Sequence, residues 1–502
     1  MPPQSARAWL LLLALLAAVN VMRFVRLDAD FPPGVTTSRT LYTDEGIYSA
    51  NGARIGTGQS WYIPREMNVI IDLPVVPALQ GVAFRIFGPS LVAARGLVAV
   101  MSLVLIGAAV GVTAMNVSMT CSALVAIALS LDFLLFSYSR LAIFDVIMTT
   151  IMTLAFVLAS SFRARYVAIG AVVAGALLGV AALTKTTALC GLPALAYFCS
   201  TRVTDRRRKW QLAGLASTSC ALVVLGYNAL AWLAYPVDYT HFYWDQALNG
   251  RLPLSLPGLA KNLAAAVIDT VRFEPALALI AFVTTAALLK SSERFRANVL
   301  VRTSVLWVLA FFAMLSLSSY QPSRYFVAVV VPLVILCGAA VEHIGDVLSP
   351  RLPVVAARAA IVGGLLAYNA VLIVDYFQHP AYTFQRMARE VADIVNVNAT
   401  GQRPGVLLGD MAASVSLESR VAAISMDYGT GDLAARIARD CPTHFITLQT
   451  PSEDEDRALS PYYVVEPVKK WDVFENYYEH RQVRLSRLRP RAGRLPSCPA
   501  SP

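Results

Sequence analysis

Eleven apolar runs constrain this sequence more than any other feature. A helix needs roughly 20 mainly apolar residues to cross the hydrocarbon core of a bilayer, and such runs recur as far as residue 376. We therefore expect a polytopic α-helical membrane protein with about 11 transmembrane helices, in contact with membrane lipids. The candidate spans are residues 8–27, 91–114, 120–138, 143–161, 167–184, 186–201, 211–234, 275–290, 301–317, 326–345 and 355–376.

The charge pattern supports this interpretation and predicts an orientation. Only 15% of the residues are charged and 57% are hydrophobic, whereas soluble domains carry about 25% charged residues. The net charge of +10 comes largely from clusters between apolar runs, as at 206–209 and 290–302. Such clusters mark cytoplasmic loops and do not indicate nucleic-acid binding. The sequence thus predicts a multi-pass protein of the cell inner (plasma) membrane, with a cytoplasmic N-terminus and an extracytoplasmic C-terminus.

The first apolar run is predicted to stay in the mature protein. It follows a basic residue, Arg7, as a signal peptide would, but no small-residue cleavage site follows it.

The chain divides by composition into three parts. Residues 1–376 form the expected transmembrane domain, whose first outer loop, 28–90, is expected to hold interfacial helices, for example at 64–88. Residues 377–485 change character: 405–410 and 443–448 are typical of buried strands, and 431–439 of a helix. This predicts a small extracytoplasmic α/β domain. The Pro- and Arg-rich segment 486–502 is expected to be a disordered tail.

The seven cysteines do not suggest a disulfide framework. Five lie in apolar runs, and only Cys441 and Cys498 lie in the polar C-terminal part, where they could pair.

Unusual ionisable residues gather at the ends of apolar runs on the predicted outer face. Charged groups near the membrane core are costly and usually face a cavity or a partner. Acids and cations that converge on one face suggest a cavity for an anion such as a phosphate, bound by Lys as a point charge and by Arg as a fork. Plainer explanations stay open: loop carboxylates, an interfacial ion pair of Arg140 with Asp145, and lipid-anchored cations. The residues concerned are Asp44, Glu45, Arg140, Asp145, Lys185 and Arg324.

Four segments give the sequence a resemblance to a known family. They are Thr-Asp-Glu-Gly-Ile-Tyr-Ser-Ala at 43–50, Tyr-Ser-Arg-Leu-Ala-Ile-Phe-Asp at 138–145, Leu-Thr-Lys at 183–185, and Arg324-Tyr325 followed by Pro332. In their order and predicted membrane side, they resemble motifs of the GT-C fold glycosyltransferases. The likeness is to the protein O-mannosyltransferase-like group (glycosyltransferase family 39-type), which includes the bacterial aminoarabinose transferases that act on lipid A.

The resemblance implies a GT-C arrangement of the helices and an activity. Such an enzyme transfers a sugar from a polyprenyl-phosphate-linked donor to a lipid, glycan or protein acceptor on the extracytoplasmic side, with inversion. Asp44 is expected to be the base and Asp145 a second catalytic residue. The donor phosphate is expected to contact Lys185, Arg324 and Arg140, and the other expected site residues are Glu45, Tyr48 and Tyr325.

One departure from the family pattern concerns the first outer loop. Many relatives carry a basic residue or His before a Pro there, whereas this sequence has Leu73 before Pro74. Phosphate binding by this loop would then depend on Arg65 or Arg85.

No cofactor is required by the sequence, although Asp44, Glu45 and Asp145 offer all-oxygen ligands that would suit Mg²⁺ or Mn²⁺. Two other classes of function stay open. A multi-pass transporter or lipid-linked sugar flippase would place charges near the midplane between repeated halves, and no repeat is visible here. A membrane scaffold would use the C-terminal part for binding. The sugar and the acceptor cannot be read from the sequence.

Overall fold

The computed structural model describes residues 14–31, 41–241, 255–346, 348, 351–378, 380–397, 405–426, 432–448, 453–474 and 481–491. The chain forms two compact units. The first comprises 1–25, 98–230 and 250–377, and the second comprises 26–97, 231–249 and 378–502. One unit boundary falls at 377/378, next to the predicted division at 376/377, and residues 26–97 belong to the same unit as the C-terminal part.

Helices make up the first unit. Two of them, α4 and α10, also contribute residues to the second unit. The helices are α1 (Ala14–Phe24), α4 (Leu91–Asn116), α5 (Met119–Leu131), α6 (Phe133–Tyr138), α7 (Phe144–Ser161), α8 (Val167–Thr184), α9 (Gly191–Ser200), α10 (Arg206–Ala234), α12 (Leu256–Phe273), α13 (Pro275–Ser291), α14 (Glu293–Ala297), α15 (Val299–Ser316), α16 (Val327–His343) and α17 (Arg351–Gln378).

The centre of the first unit is α16, almost every residue of which is buried. It packs against α5, α7, α13 and α15. Because α16 is apolar around its whole circumference, burial on all sides is the arrangement that its sequence favours.

Polar residues interrupt two of the apolar runs. The predicted span 120–138 is two helices, since Asp132 ends α5 and caps α6 by accepting a hydrogen bond from the Leu135 N–H at 2.7 Å. A second break falls at Lys185, whose extended backbone separates α8 from the 3₁₀ turn Thr186–Cys190. In the stretch between α10 and α13, α12 covers Leu256–Phe273.

Seven helices in the described part of the chain are long and apolar enough to cross a membrane. Five further apolar helices are shorter, so the number of eleven spans stays a prediction. The seven lie at Leu91–Asn116, Phe144–Ser161, Ala164–Thr184, Arg206–Ala234, Val299–Ser316, Ser323–Asp346 and within Pro353–Asn396.

The second unit joins the first outer loop to a small α/β sheet. Its helices are α2 (Leu41–Gly56), α3 (Val75–Phe87), α11 (Pro236–Thr240), α18 (Thr383–Val397), α19 (Ala412–Ser419), α20 (Leu433–Asp440) and α21 (Glu453–Leu459). The segment 41–50, interpreted above as loop, is thus a helix, and α3 lies within the predicted interfacial segment 64–88.

Five strands form one mixed sheet in the order β2-β1-β3-β5-β4. Strands β1 (Val406–Leu408), β2 (Ala422–Ile424) and β3 (His444–Leu448) are parallel, whereas β4 (Tyr463–Val473) and β5 (Arg481–Pro490) form an antiparallel hairpin. The start of a disordered tail at 486 is wrong, because β5 continues to Pro490 between β3 and β4. Val483 and Leu485 are buried two positions apart, which is the strand period, and Leu488 is buried on the other side of a register shift in the hairpin.

Cys441 is disulfide-bonded, while Cys498 lies outside the described residues. The five cysteines of the apolar runs are free and buried.

Candidate functional site

Three of the four motif segments meet inside the first unit. The Lys185 ammonium donates a hydrogen bond to Asp145 Oδ1 at 2.5 Å and lies 4.0 Å from the centre of the Tyr325 ring. The Asp145 side chain is 1% exposed and that of Lys185 14%. The buried Asp145 carboxylate and the electron-rich face of the Tyr325 ring thus hold the Lys185 cation at the break between α8 and the 3₁₀ turn that follows.

A separate contact joins the second and fourth segments. The hydroxyl groups of Tyr138 and Ser323 lie 2.6 Å apart and are both buried. Ser323 precedes Arg324, which is 6% exposed and donates to the Tyr320 hydroxyl at 3.4 Å. The bond from Tyr138 therefore fixes the 3₁₀ turn Ser323–Phe326, from which Arg324 and Tyr325 project.

Arg140 lies in a different environment from Lys185. Its guanidinium donates to the Tyr376 hydroxyl at 2.8 Å and to the Met22 carbonyl at 2.7 Å, and it stacks over the rings of Phe136, Tyr376 and Phe377. These contacts favour a role in joining α1, α6 and α17. Phosphate binding by Arg140 stays a prediction. The enclosed position of its guanidinium argues against it.

Arg23 packs beside Arg140, and the sequence patterns did not single it out. This residue is completely buried and donates to the carbonyls of Leu129 and Ser130 at the end of α5, and to Ser139 Oγ at 2.7 Å. It therefore satisfies carbonyl groups that a helix end leaves open.

In the second unit, Asp44 lies in the first turn of α2 and is 8% exposed. The partial positive charge of a helix N-terminus favours the ionised form of a carboxylate. Tyr48 follows one turn later, on the same face of the helix, and is half-buried.

Glu45 has a different partner and a different role. Its Oε1 and Oε2 accept hydrogen bonds from Arg95 Nε at 2.8 Å and Nη2 at 2.6 Å, and both side chains are buried. Arg95 also donates to the carbonyls of Leu27 and Ala29 at 2.6 and 2.8 Å. This bidentate ion pair ties α2 to α4, so the predicted site residue Glu45 is a structural neighbour of Asp44.

Close helix packing also fixes α2 from the C-terminal side. A Cβ atom on Gly46 would lie 2.2 Å from the backbone nitrogen of Ser414 in α19. Only glycine allows this approach, and it explains why a helix former is missing from the middle of the motif.

Asp72 is a buried acid that sequence analysis treated only as part of the loop motif. It is 3% exposed, and its Oδ1 has no hydrogen-bond partner among the residues that the structure describes. Burial raises the pKa of Asp72 to about 8. The sequence signal that could have identified Asp72 is its position before Leu73-Pro74, in the segment that lacks the basic residue of the family pattern.

The three predicted metal ligands do not form an evident metal site. Glu45 is occupied by Arg95 and Asp145 by Lys185. Across the described ranges, no group of three or more His, Cys, Asp or Glu side chains could hold a metal ion. These donor sets do not fit Mg²⁺ or Mn²⁺, so no chemical step below uses a metal.

Comparisons with known proteins identify the fold. Residues 72–228 match the model of the dolichyl-phosphate-mannose-protein mannosyltransferase family. The structure is similar to ArnT from Cupriavidus metallidurans bound to undecaprenyl phosphate, with a TM-score of 0.65 and 16% identity over 94% of this chain and 97% of that one. The apo state of ArnT gives 0.65 and 15%, over 96% and 98%. No curated protein matches significantly.

The chain therefore has the GT-C fold, and it is embedded in a membrane through apolar helices. The resemblance to the protein O-mannosyltransferase-like group is confirmed. The archaeal oligosaccharyltransferase AglB from Archaeoglobus fulgidus is more distant, with a TM-score of 0.49 and 13% identity over 91% of this chain and 73% of that one.

Proposed function

We propose that this protein is a membrane glycosyltransferase that moves a hexosyl or pentosyl group from a polyprenyl-phosphate carrier to an acceptor on the extracytoplasmic side of the cell inner membrane. The acceptor is a lipid, a glycan or a protein. Transfer inverts the anomeric centre. Undecaprenyl phosphate in the structurally similar ArnT supports a lipid-phosphate donor.

The contact of Lys185 with Asp145 and Tyr325 is the observation that carries this proposal. Three motif segments that are far apart in the sequence each supply one group: the Lys185 cation, the buried Asp145 carboxylate and the Tyr325 ring. A lysine that served only to reach lipid headgroups would not need a 1% exposed acid beside it.

In the proposed mechanism, Lys185 and Arg324 bind the donor phosphate. As the bond between the anomeric carbon and the phosphate oxygen breaks, negative charge grows on the leaving polyprenyl phosphate. Cations already held in place stabilise that charge without a reorganisation cost. Asp145 positions Lys185, and Arg140 joins α1, α6 and α17.

Asp44 acts on the acceptor. The acceptor hydroxyl attacks the anomeric carbon from the face opposite the phosphate, and its proton passes to the Asp44 carboxylate. The first turn of α2 favours the ionised carboxylate that a base requires. The ion pair of Glu45 with Arg95 holds this turn in place.

A transfer assay on the purified full-length chain tests the proposal. Radiolabelled polyprenyl-phosphate sugars would be incubated with detergent-solubilised protein and an envelope extract, and labelled products would be separated from the donor. Wild-type protein should transfer at least one sugar, with the opposite anomeric configuration in the product.

The matched variants are Asp44→Asn and Asp472→Asn, which remove a buried and an exposed carboxylate respectively. We expect transfer to be lost only in the first, with both variants folded. Full activity of Asp44→Asn would refute its assignment. Absence of transfer with every donor, together with carrier movement across vesicles, would identify a flippase instead.

A further inference from the structure

An open cleft of about 580 Å³ lies in the second unit. Pockets of roughly 300–1,000 Å³ are typical of small-molecule sites. Within the described part of the chain, its polar lining comes from α11, the loop after α2 and the start of α20. The side chains are those of Arg65, Asp238, Thr240, His241 and Asp432, and Val237 supplies apolar surface.

Aromatic residues adjoin one side of the cleft. Tyr62 donates its hydroxyl to Asp238 Oδ2 at 2.7 Å. Burial and this bond raise the pKa of Tyr62 to about 12, so the hydroxyl remains a donor. The Tyr235 ring lies 4.6 Å from that of Tyr62 and 5.5 Å from that of Trp61. Flat apolar faces and fixed carboxylates thus occur together.

The cleft has a rigid frame. Arg65 and Asp432 both have positive φ angles, 64° and 44°, a conformation that costs about 1 kcal/mol or more for a residue other than glycine. Glu66 holds the neighbouring segment through a buried ion pair with Arg436 at 2.7 Å, and Arg436 also donates to the Ser425 carbonyl at 2.6 Å. The strained backbone is therefore fixed from both sides.

The cleft is connected to the helix that carries Asp44. Asn51 donates to the Trp61 carbonyl at 2.9 Å, and Arg54 does so at 3.3 Å. Asn51 follows Asp44 by two turns of α2, which is about 10 Å along the helix axis. The hydrogen bonds from Asn51 and Arg54 thus connect this helix to Trp61, which packs against Tyr235 beside the cleft.

The charges select among ligand classes. Two carboxylates face one guanidinium, so the lining does not favour a phosphorylated or otherwise polyanionic ligand. Carboxylates accept hydrogen bonds only, and a ligand with several hydroxyl groups can supply them. The guanidinium, hydroxyl and imidazole groups complete the recognition of a polyol, and Val237 adds apolar surface.

We infer that this cleft binds the acceptor, and that the acceptor presents an uncharged or amino-substituted saccharide. The inference rests on the proposed function and adds the chemical class of the acceptor to it. The donor also carries a sugar, so the experiment must separate the two sources.

Binding is tested by saturation-transfer NMR on the full-length chain in a detergent without a sugar headgroup. The probes are mannobiose, chitobiose and arabinobiose, with inorganic phosphate as the anionic probe. Val237→Trp fills the cleft from an exposed position, because Val237 is 52% exposed. Val464→Trp on β4 is the matched control, at 43% exposed. Asp238→Asn keeps an acceptor for Tyr62 but removes the charge.

We expect at least one disaccharide to bind the wild-type protein and to lose its signal in Val237→Trp. Asp238→Asn should weaken binding about tenfold, the loss expected for one charge-assisted hydrogen bond. Val464→Trp should bind normally. Disaccharide signals that persist in Val237→Trp, or phosphate binding without any disaccharide binding, would overturn the inference.

Transfer kinetics with the disaccharide that binds then separate acceptor from donor. Val237→Trp should raise KM for the acceptor and leave KM for the polyprenyl-phosphate donor unchanged. A change confined to the donor KM would overturn the assignment as an acceptor site. Wild-type acceptor KM in this variant would refute the inference alone, whereas disaccharide binding by a protein that transfers no sugar would refute the proposed function.

Discussion

Replacing Glu45 by Gln tests whether the adjacent carboxylates have different roles, Glu45 in stability and Asp44 in catalysis. The structure assigns Glu45 to a bidentate pair with Arg95 in which both side chains are nearly fully buried. Gln can still accept the bond from Arg95 Nε. It loses the negative charge, and its amide group places a donor opposite Arg95 Nη2.

The size of the effect follows from the guanidinium that remains. Removing one member of a buried ion pair costs about 3–5 kcal/mol, because the other charge stays buried without compensation. Arg95 keeps its bonds to the carbonyls of Leu27 and Ala29, so we expect about 3 kcal/mol. The same substitution at Glu390 should cost less than about 1 kcal/mol, since its pair with Lys469 is about half exposed.

Thermal denaturation in detergent and the transfer assay measure the two effects. Glu45→Gln should melt several degrees lower than Glu390→Gln and should keep its transfer rate per folded molecule. Asp44→Asn should melt like the wild type and lose about 10²–10⁴-fold in rate, the usual contribution of a general base. Wild-type melting of Glu45→Gln together with a rate as low as that of Asp44→Asn would refute this division of roles.

Three further predictions concern other charged groups. Lys185→Ala should mainly raise KM for the donor. The double variant Lys185→Met with Asp145→Asn should be more stable than Lys185→Ala but should use the donor no better. An unchanged dependence of the rate on donor concentration would exclude Lys185 from phosphate binding. Since the pKa of Asp72 rises from 3.8 to about 8 on burial, only the folded state binds this proton between those values, so stability falls as pH rises. Asp72→Asn should then be the more stable protein at pH 8, by a few kcal/mol, and equal melting at pH 5 and 8 for both proteins would contradict this. Burial, with a smaller contribution from Arg487, lowers the pKa of His444 to about 4, so stability should fall between pH 6.5 and 4, where only the unfolded state takes up the proton; His444→Gln should flatten this decline in melting curves.

Apolar runs predicted the helices of the first unit well because burial and lipid contact both select for continuous apolar sequence. Boundaries at α7, α8 and α13 differ from prediction by a residue or so. The same reasoning missed α2, which mixes apolar and polar residues and contains Gly46, Gly52 and Gly56. Its glycines serve contacts with α19 and α3, and such tertiary packing has no local signal in a sequence.

The candidate site was predicted in part. Segment order placed Asp145, Lys185 and Tyr325 together in one hypothesis, and they are in contact. The pairing of Glu45 with Arg95 could not be predicted, because Arg95 lies inside an apolar run and 50 residues away. Strand β5 gave only a weak signal: apolar and Arg residues alternate over 483–485, but Ser486 interrupts the period before Leu488.

The ion pair of Glu66 with Arg436 has a consequence for how the protein is made. The two residues are 370 positions apart in the chain, and a growing chain emerges from its N-terminus. Two contacts can therefore form only after the last part of the chain has been synthesised. They are the ion pair of Glu66 with Arg436 and the packing of Gly46 against α19. A partly synthesised chain therefore lacks two of the contacts that hold the helix carrying Asp44.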